Sequence, residues 1–114
     1  YTLPRLVGVP RALNLLWTGR LVKAQEALDM GLVNQVLPED ELLPTARRLA
    51  LELARGPGLA LRHMKRLVYD GLGMDLQQAL QAHMEATRAI STTEDAYEGP
   101  RAWIEKREPF FRGR

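Results

Sequence analysis

A single short run constrains the fold of this chain more than any other feature. Residues 32–37 read L-V-N-Q-V-L, a β-branched stretch between Gly31 and Pro38, and this run is the only convincing strand candidate. The backbone donors and acceptors of a strand need a neighbouring strand. We therefore predict a mainly α-helical chain whose one strand pairs with a segment outside these 114 residues, either upstream or in another chain.

Apolar residues at helical spacing predict helices over most of the remaining chain. The predicted helices are separated by glycine or proline and cover residues 10–18, 24–30, 40–55, 59–72 and 75–91, with a sixth starting near Thr92. One helix, 40–55, carries an apolar stripe made of Leu42, Ala46, Leu49, Ala50 and Leu53. Such a stripe is typical of an amphipathic helix.

Several residues near helix ends carry specific expectations. Asp75 and Gln78 have the spacing of a capping box, and Asp95 is expected to cap the last helix. Pro44 is expected in the first turn of its helix, where a missing N–H costs little. The Gly-Pro pair at 99–100 predicts a kink or a restart within the last helix, because Pro100 has no N–H to donate.

Composition excludes several classes of protein. A chain of 114 residues with 46% hydrophobic and 26% charged residues fits one globular domain or part of one. The net charge of +2 is weak support for a nucleic-acid partner. The absence of cysteine excludes disulfides and thiolate chemistry, and it fits a cytoplasmic location. We expect no membrane span and no signal peptide, and a start at Tyr1 suggests a fragment or a trimmed chain.

The titratable residues do not form a recognisable catalytic or metal-binding motif. His63 and His83 lie in different predicted helices without carboxylates that would complete a ligand set, so no metal site is predicted. His83 lies on an apolar stripe and is better explained as a half-buried core histidine than as a general base. The adjacent acids at 39–40 and 94–95 stand at helix starts, where capping explains them better than paired catalytic carboxylates do.

Four segments in order resemble the C-terminal part of the crotonase superfamily, the enoyl-CoA hydratases and isomerases. They are L-P-R-L-V-G at 3–8, L-L-W-T-G at 15–19, A-Q-E-A-L-D-M-G-L-V-N-Q-V at 24–36, and E-D-A-Y-E-G-P-R-A-W-I-E-K-R-E-P-F-F at 94–111. Each segment alone is a weak signal. Together, with family-like intervals over nearly the whole chain, they identify the chain as a member.

The resemblance implies a fold and an activity. The chain would be the mainly α, C-terminal helical part of a crotonase-like α/β fold, the ββα spiral of the ClpP/crotonase type, without its N-terminal spiral core. Residues 1–38 would end the spiral core region, and residues 39–114 would form a helical trimerisation region. The complete enzyme would add water to 2-enoyl-CoA thioesters of fatty acid metabolism, or isomerise them, through an enolate held by two backbone N–H groups.

The resemblance also implies where function lies in this chain. The catalytic carboxylates and the oxyanion hole would precede Tyr1, so we assign no catalytic residue here. Trp103 and Lys106 match the aromatic and the lysine that approach the adenine and phosphates of coenzyme A across the subunit interface. Coenzyme A is part of the acyl-CoA substrate, so no separate cofactor is expected. The partners would be identical subunits in a trimer or a dimer of trimers, with no nucleic acid, membrane or metal.

The residues at this site support more than one interpretation. Trp103 and Lys106 are three residues apart and would share a helix face, where an indole and an ammonium suit an adenine and a phosphate. Alternatively, Trp103, Phe110 and Phe111 are interface or core aromatics, and Lys106 is a solvated charge. Two other classes of function stay open: a non-catalytic helical assembly module, and a basic helical nucleic-acid binder with a steep salt dependence.

Overall fold

The computed structural model describes residues 1–114 as a series of seven α-helices. They are α1 Thr2–Val7, α2 Val9–Thr18, α3 Ala24–Asp29, α4 Glu39–Ala54, α5 Gly58–Gly71, α6 Leu76–Ser91 and α7 Glu94–Glu105. The mainly α prediction is confirmed, and the bounds of α2 to α6 lie within one residue of those predicted. Helix α1 was not predicted, because its six residues are too few to show a clear apolar period.

The predicted strand over residues 32–37 is wrong, since the chain contains no β-strand. The backbone N–H groups of Leu32 and Val33 both donate to the carbonyl of Ala27, at 2.8 and 3.3 Å, and so complete the end of α3. The remaining residues up to Pro38 lie outside any helix. A strand requires a neighbour with free donors and acceptors, and no segment of this chain supplies one.

Two prolines lie inside helices, and neither matches its prediction. Pro44 is the sixth residue of α4, which places it in the second turn and not in the first. Pro100 lies within α7, which runs from Glu94 to Glu105 as one continuous helix, so the predicted restart is wrong. One proline removes one N–H donor and crowds one carbonyl. The other backbone hydrogen bonds of these helices are enough to keep them helical.

The chain divides into two compact units, Tyr1–Thr45 and Ala46–Arg114. The first unit has a small apolar core made of Val7, Ala12 and Met30, with Leu3, Leu15, Val22 and Leu32 packed against it. Gly8, with φ of 81°, allows α2 to begin two residues after α1 ends. A bidentate ion pair between Arg20 and Glu26, at 2.5 and 2.9 Å, joins the segment after α2 to α3.

The second unit buries few apolar side chains. Helices α5 and α6 pack against each other, and the capping box at the start of α6 is confirmed, with Gln78 N 2.8 Å from a carboxylate oxygen of Asp75. Neither α4 nor α5 buries any residue. The stripe leucines of α4 stay exposed, with Leu49 at 54%, so the apolar face of α4 finds no partner within the chain.

Candidate functional site

The last helix ends in a turn that carries the two residues predicted to bind coenzyme A. Helix α7 ends at Glu105, and Lys106 adopts a left-handed conformation with φ of 53° and ψ of 40°. The N–H of Lys106 donates to the carbonyl of Trp103 at 3.3 Å, and that of Arg107 to the carbonyl of Ala102 at 3.0 Å. This pair of bonds is the Schellman motif, which satisfies carbonyls left free at a helix end.

The structure places Trp103 and Lys106 at the same surface depression. Trp103 is in the last turn of α7 and Lys106 is the first residue beyond it, so the prediction that they share a helix face is wrong in detail. Both residues nevertheless line one depression of about 540 Å³, together with Ala102, Ile104 and Arg107. The indole of Trp103 is 82% exposed. An exposed indole beside an ammonium can receive a flat ring and an anion together.

Arg107 is engaged by two carboxylates and is not available to a ligand in the way that Lys106 is. Its guanidinium nitrogens lie 2.5 and 2.9 Å from the two carboxylate oxygens of Glu98, and its Nε lies 2.6 Å from Glu105. Hydrogen bonding to these carboxylates raises the pKa of Arg107. Lys106, in contrast, makes no ion pair within the chain. The free positive charge at the depression is therefore that of Lys106.

Glu98 also holds the backbone that follows the turn. Its carboxylate accepts the N–H of Phe110 at 2.7 Å, and its side chain is only 18% exposed. Hydrogen bonds from Arg107 and then from Phe110 N–H lower the pKa of Glu98 to about 2. The carboxylate is therefore ionised over the whole physiological range. Glu98 fixes the chain at two points, one residue and four residues beyond Lys106.

Asp95 anchors the end of the chain and does not cap α7 as predicted. The cap is Thr93, whose hydroxyl accepts the N–H of Ala96 at 3.3 Å. The Asp95 carboxylate is 6% exposed and accepts the N–H groups of Arg112 at 2.7 Å and Gly113 at 2.9 Å. The prediction was wrong because the segment that returns along α7 supplies stronger partners than the first turn does. A buried carboxylate requires such partners.

The side chain of Phe111 packs the segment after α7 against that helix. Phe111 is partly buried and lies against Gly99, where an added Cβ would stand 3.8 Å from the phenyl ring. A depression of about 220 Å³ at this place is lined by Phe111 with residues of α5, α6 and α7. Phe110 is 70% exposed. Of the three aromatics considered as core residues from the sequence, only Phe111 packs inside this chain.

The other candidate residues are not brought together. His63 on α5 is partly buried, and His83 on α6 is exposed, so the expected half-buried core histidine at 83 is wrong. Its neighbours on the apolar stripe, Leu76 and Leu80, are also exposed, at 76% and 55%, so nothing covers the imidazole. No group of three or more His, Cys, Asp or Glu residues lies together where a metal ion could bind. None of the helices is long and apolar enough to cross a bilayer.

The two pairs of adjacent acids, 39–40 and 94–95, lie at helix starts, where they have structural roles. Glu39 and Asp40 lie in the first turn of α4, as predicted for residues that favour the positive end of a helix dipole. Glu94 faces the guanidinium groups of Arg112 and Arg114 at 3.8 and 3.4 Å. Sequence reasoning missed Glu98 altogether. Its partner Arg107 is nine residues away, which is no helical spacing, so only the reversal of the chain at Lys106 brings the two together.

Comparison with known proteins identifies relatives over the whole length of the chain. Residues 1–114 match the family model described as Enoyl-CoA hydratase/isomerase. The chain is 37% identical over 109 residues to a crotonyl-CoA hydratase of Syntrophomonas wolfei, covering 96% of this chain and 42% of that protein. It is 37% identical over 106 residues to a short-chain-enoyl-CoA hydratase of Clostridium acetobutylicum, covering 93% and 41%.

A solved structure shows the same arrangement of helices. The crystal structure of an enoyl-CoA hydratase from Bacillus anthracis superposes with a TM-score of 0.95 at 39% identity, over 98% of this chain and 43% of that one. The chain thus spans about two-fifths of the length of the relatives that it matches. The resemblance found in the sequence is confirmed.

Proposed function

This chain belongs to the enoyl-CoA hydratase/isomerase family, and we propose that it is the C-terminal part of an enzyme that hydrates or isomerises 2-enoyl-CoA thioesters. In such a reaction the thioester oxygen becomes negative as an enolate forms, and backbone N–H groups stabilise it. We assign no catalytic role to any residue of this chain. Its proposed contributions are to assemble identical subunits and to bind the nucleotide end of coenzyme A.

The observation that carries the proposal is the position of Trp103 and Lys106 at one surface depression. The exposed indole offers a flat face for the adenine ring, and the ammonium offers a charge for the adjacent phosphates. The neighbouring Arg107 is already neutralised by Glu98 and Glu105. Lys106 is therefore the cation that a phosphate would meet first.

The test compares two substrates in the complete enzyme carrying Lys106→Ala. One substrate is an enoyl-CoA thioester, and the other is the same acyl group on pantetheine, which lacks the nucleotide. We expect KM to rise roughly five- to thirtyfold for the CoA thioester, as for loss of a partly desolvated ion pair to phosphate. We expect kcat to stay constant, because a contact equal in the ground and transition states does not affect the chemical step.

The matched control is Lys65→Ala, which removes an exposed lysine from α5. It should leave the kinetics with both substrates unchanged. If Lys106→Ala affects the two substrates equally, the lysine serves the fold or an interface, and the role in coenzyme A binding is wrong. Trp103→Ala separates the remaining alternatives: loss of adenine stacking raises KM alone, whereas loss of an interface aromatic also weakens the oligomer in sedimentation experiments.

A second candidate function, assembly without catalysis, is favoured by the amount of exposed apolar surface. Large side chains such as Leu21 at 95%, Leu76 at 76% and Val68 at 66% exposure stand in solvent in the single chain. Apolar surface of this extent marks contacts with other chains or segments. We propose that these helices bury it in a trimer or a dimer of trimers. Calorimetric titration that detects no binding of coenzyme A or adenine nucleotides would favour an assembly module without a ligand.

A further inference from the structure

We propose that Glu98 is a positioning residue of the coenzyme A site, because it holds Lys106 in its left-handed conformation beside Trp103. The inference rests on the proposed function of Lys106 as a phosphate ligand. Glu98 itself does not line the depression of Trp103 and Lys106, and it contacts Arg107 and the N–H of Phe110. It would act on binding only through the conformation of the turn.

The backbone of Lys106 has a conformation that is unfavourable for a residue with a side chain. It is the only residue other than glycine with a positive φ in the chain. The left-handed region brings the Cβ of an L-residue too close to the following carbonyl, and glycine is the usual residue at this position of a Schellman motif. A lysine there gives up backbone stability that glycine would supply. Residues in such conformations persist when their surroundings hold them, and they cluster at ligand sites.

The turn at Lys106 is held on both sides. On its N-terminal side, Lys106 follows directly on α7. On its C-terminal side, the guanidinium of Arg107 binds both oxygens of Glu98, and the N–H of Phe110 binds one of the same oxygens. Glu98 lies two turns earlier in α7, so its carboxylate has a fixed place on the helix. The residue after Lys106 is thus tied back to the helix that precedes Lys106.

The two cations at the turn differ in their partners, since Arg107 is paired with carboxylates and Lys106 is not. Two carboxylates and the carbonyl of Glu108 accept four of the five guanidinium N–H groups of Arg107, so its charge is offset within the chain. If Glu98 lost its charge, Arg107 would keep only Glu105 as a carboxylate partner. The turn would then sample other conformations, in which Lys106 no longer lines the depression. Apparent affinity falls in proportion to the population of the binding-competent conformation.

The test uses Glu98→Ala and the milder Glu98→Gln in the complete enzyme, with the same pair of substrates. The glutamine variant keeps an oxygen that can accept the N–H of Phe110 but loses the charge that binds Arg107. We expect KM for the CoA thioester to rise roughly three- to tenfold for alanine and less for glutamine. KM for the pantetheine thioester and kcat with both substrates should not change.

The matched control is Glu94→Gln, the same change on the same helix. Glu94 contacts only the exposed side chains of Arg112 and Arg114, and it binds no backbone N–H. It should leave both KM values unchanged. If Glu98→Gln and Glu94→Gln behave alike, Glu98 has no positioning role.

A double variant separates positioning from general stability. If Glu98 acts through Lys106, Glu98→Ala should add nothing to KM in an enzyme that already carries Lys106→Ala. A purely structural role would instead add its full effect in both backgrounds, and that result would overturn the inference.

If Lys106→Ala fails to distinguish the two substrates, the proposed function and this inference both fall. If Lys106→Ala distinguishes them and Glu98→Ala does not, the inference alone falls.

Lys106→Gly supplies an independent measurement. Glycine relieves the left-handed backbone and removes the ammonium in one change. We expect a higher Tm than for the unmodified enzyme, with the same rise of KM for the CoA thioester as Lys106→Ala. A lower Tm for Lys106→Gly would show that the lysine side chain stabilises the turn, which contradicts the argument that the turn is held from Glu98.

Discussion

Residues 1–45 are held by contacts between apolar side chains, whereas the segment after α7 is held by two carboxylates. Val7, Ala12 and Met30 form the centre of the first region. In the second, Glu98 and Asp95 together accept three backbone N–H groups, and Glu98 also binds a guanidinium. Apolar contacts are not directional, but hydrogen bonds to a carboxylate fix the positions of particular backbone atoms.

These two kinds of contact restrict the chain to different degrees. An apolar cluster keeps helices together over a range of small adjustments, which is sufficient for a scaffold. The segment after α7 must hold Lys106 in a conformation that its own side chain disfavours. Directed bonds to the residues that follow Lys106, from Arg107 to Phe110, restrict the backbone there. Three predictions follow from this contrast, and each would be contradicted if the two regions responded alike.

The largest effect is expected for Asp95→Ala. The change leaves the N–H groups of Arg112 and Gly113 without their acceptor, the buried carboxylate of Asp95, at a partly buried place. We expect a loss of about 3 kcal/mol in the local free energy of opening, as for the loss of hydrogen bonds to a buried charge. Amide hydrogen exchange at Arg112 and Gly113 measures it.

The control for this prediction is Asp70→Ala, which removes an exposed carboxylate that pairs with Arg66 at 3.4 Å. An exposed pair of this kind on a helix contributes little, so exchange in the final segment should be unchanged. Equal protection of Arg112 in the Asp95→Ala variant and in the unmodified protein would show that apolar packing of Phe111 alone holds the segment.

A smaller effect is expected for Met30→Ala in the apolar cluster. Met30 is 9% exposed, and its truncation should lower the free energy of unfolding by about 2 kcal/mol, the lower end for buried methionine. The loss should not depend on pH or salt, since no charge is involved. Denaturant titration at two salt concentrations measures it. Met74→Ala, at a 38% exposed position, is the control and should change stability by less than about 0.5 kcal/mol.

The smallest effect is expected for the protonation of Glu98, which takes place only well below neutral pH. Its pKa is about 2 in the folded chain, below the ordinary value of 4.5, because of hydrogen bonds from Arg107 and Phe110 N–H. A group whose pKa is lowered by folding stabilises the fold above its ordinary pKa, and this contribution is lost as pH falls through the folded value. Protection of the Phe110 amide should therefore be constant above about pH 4.5 and decline towards pH 2.

Carboxyl chemical shifts in an NMR titration check the pKa directly, and Glu98→Gln supplies the control in which the decline is absent. A midpoint near 4.5 for Glu98 would show that Arg107 does not bind the carboxylate in solution. The apolar cluster around Met30 contains no titratable group. Its amide protection should therefore not follow this titration.

The helices could be predicted from the sequence because their signals are local. Apolar period, glycine and proline breaks, and the capping box of Asp75 and Gln78 all depend on residues within one or two turns. Where a prediction needed a distant partner, it failed. The strand predicted at 32–37 has no neighbouring strand in this chain and does not form. His83 was predicted to be half-buried from its apolar neighbours, but no other segment covers it and it is exposed.

The candidate site shows the same division. The sequence singled out Trp103 and Lys106, and the structure brings both to one depression. It did not indicate Glu98. A glutamate nine residues before an arginine is not at a helical spacing, and the two side chains meet only because the chain reverses between them. It also assigned Asp95 to the wrong task, since the partners of that carboxylate lie 17 and 18 residues further along.

Helices α2 to α6, the breaks between them and the family of the chain follow from the order of residue types along the sequence. Tertiary structure alone decided which carboxylates bind which backbone groups, and that Lys106 adopts a left-handed conformation. The physical reason is that a hydrogen bond depends on distances of about 3 Å between atoms. Such distances between residues far apart in sequence exist only after the chain has turned back on itself.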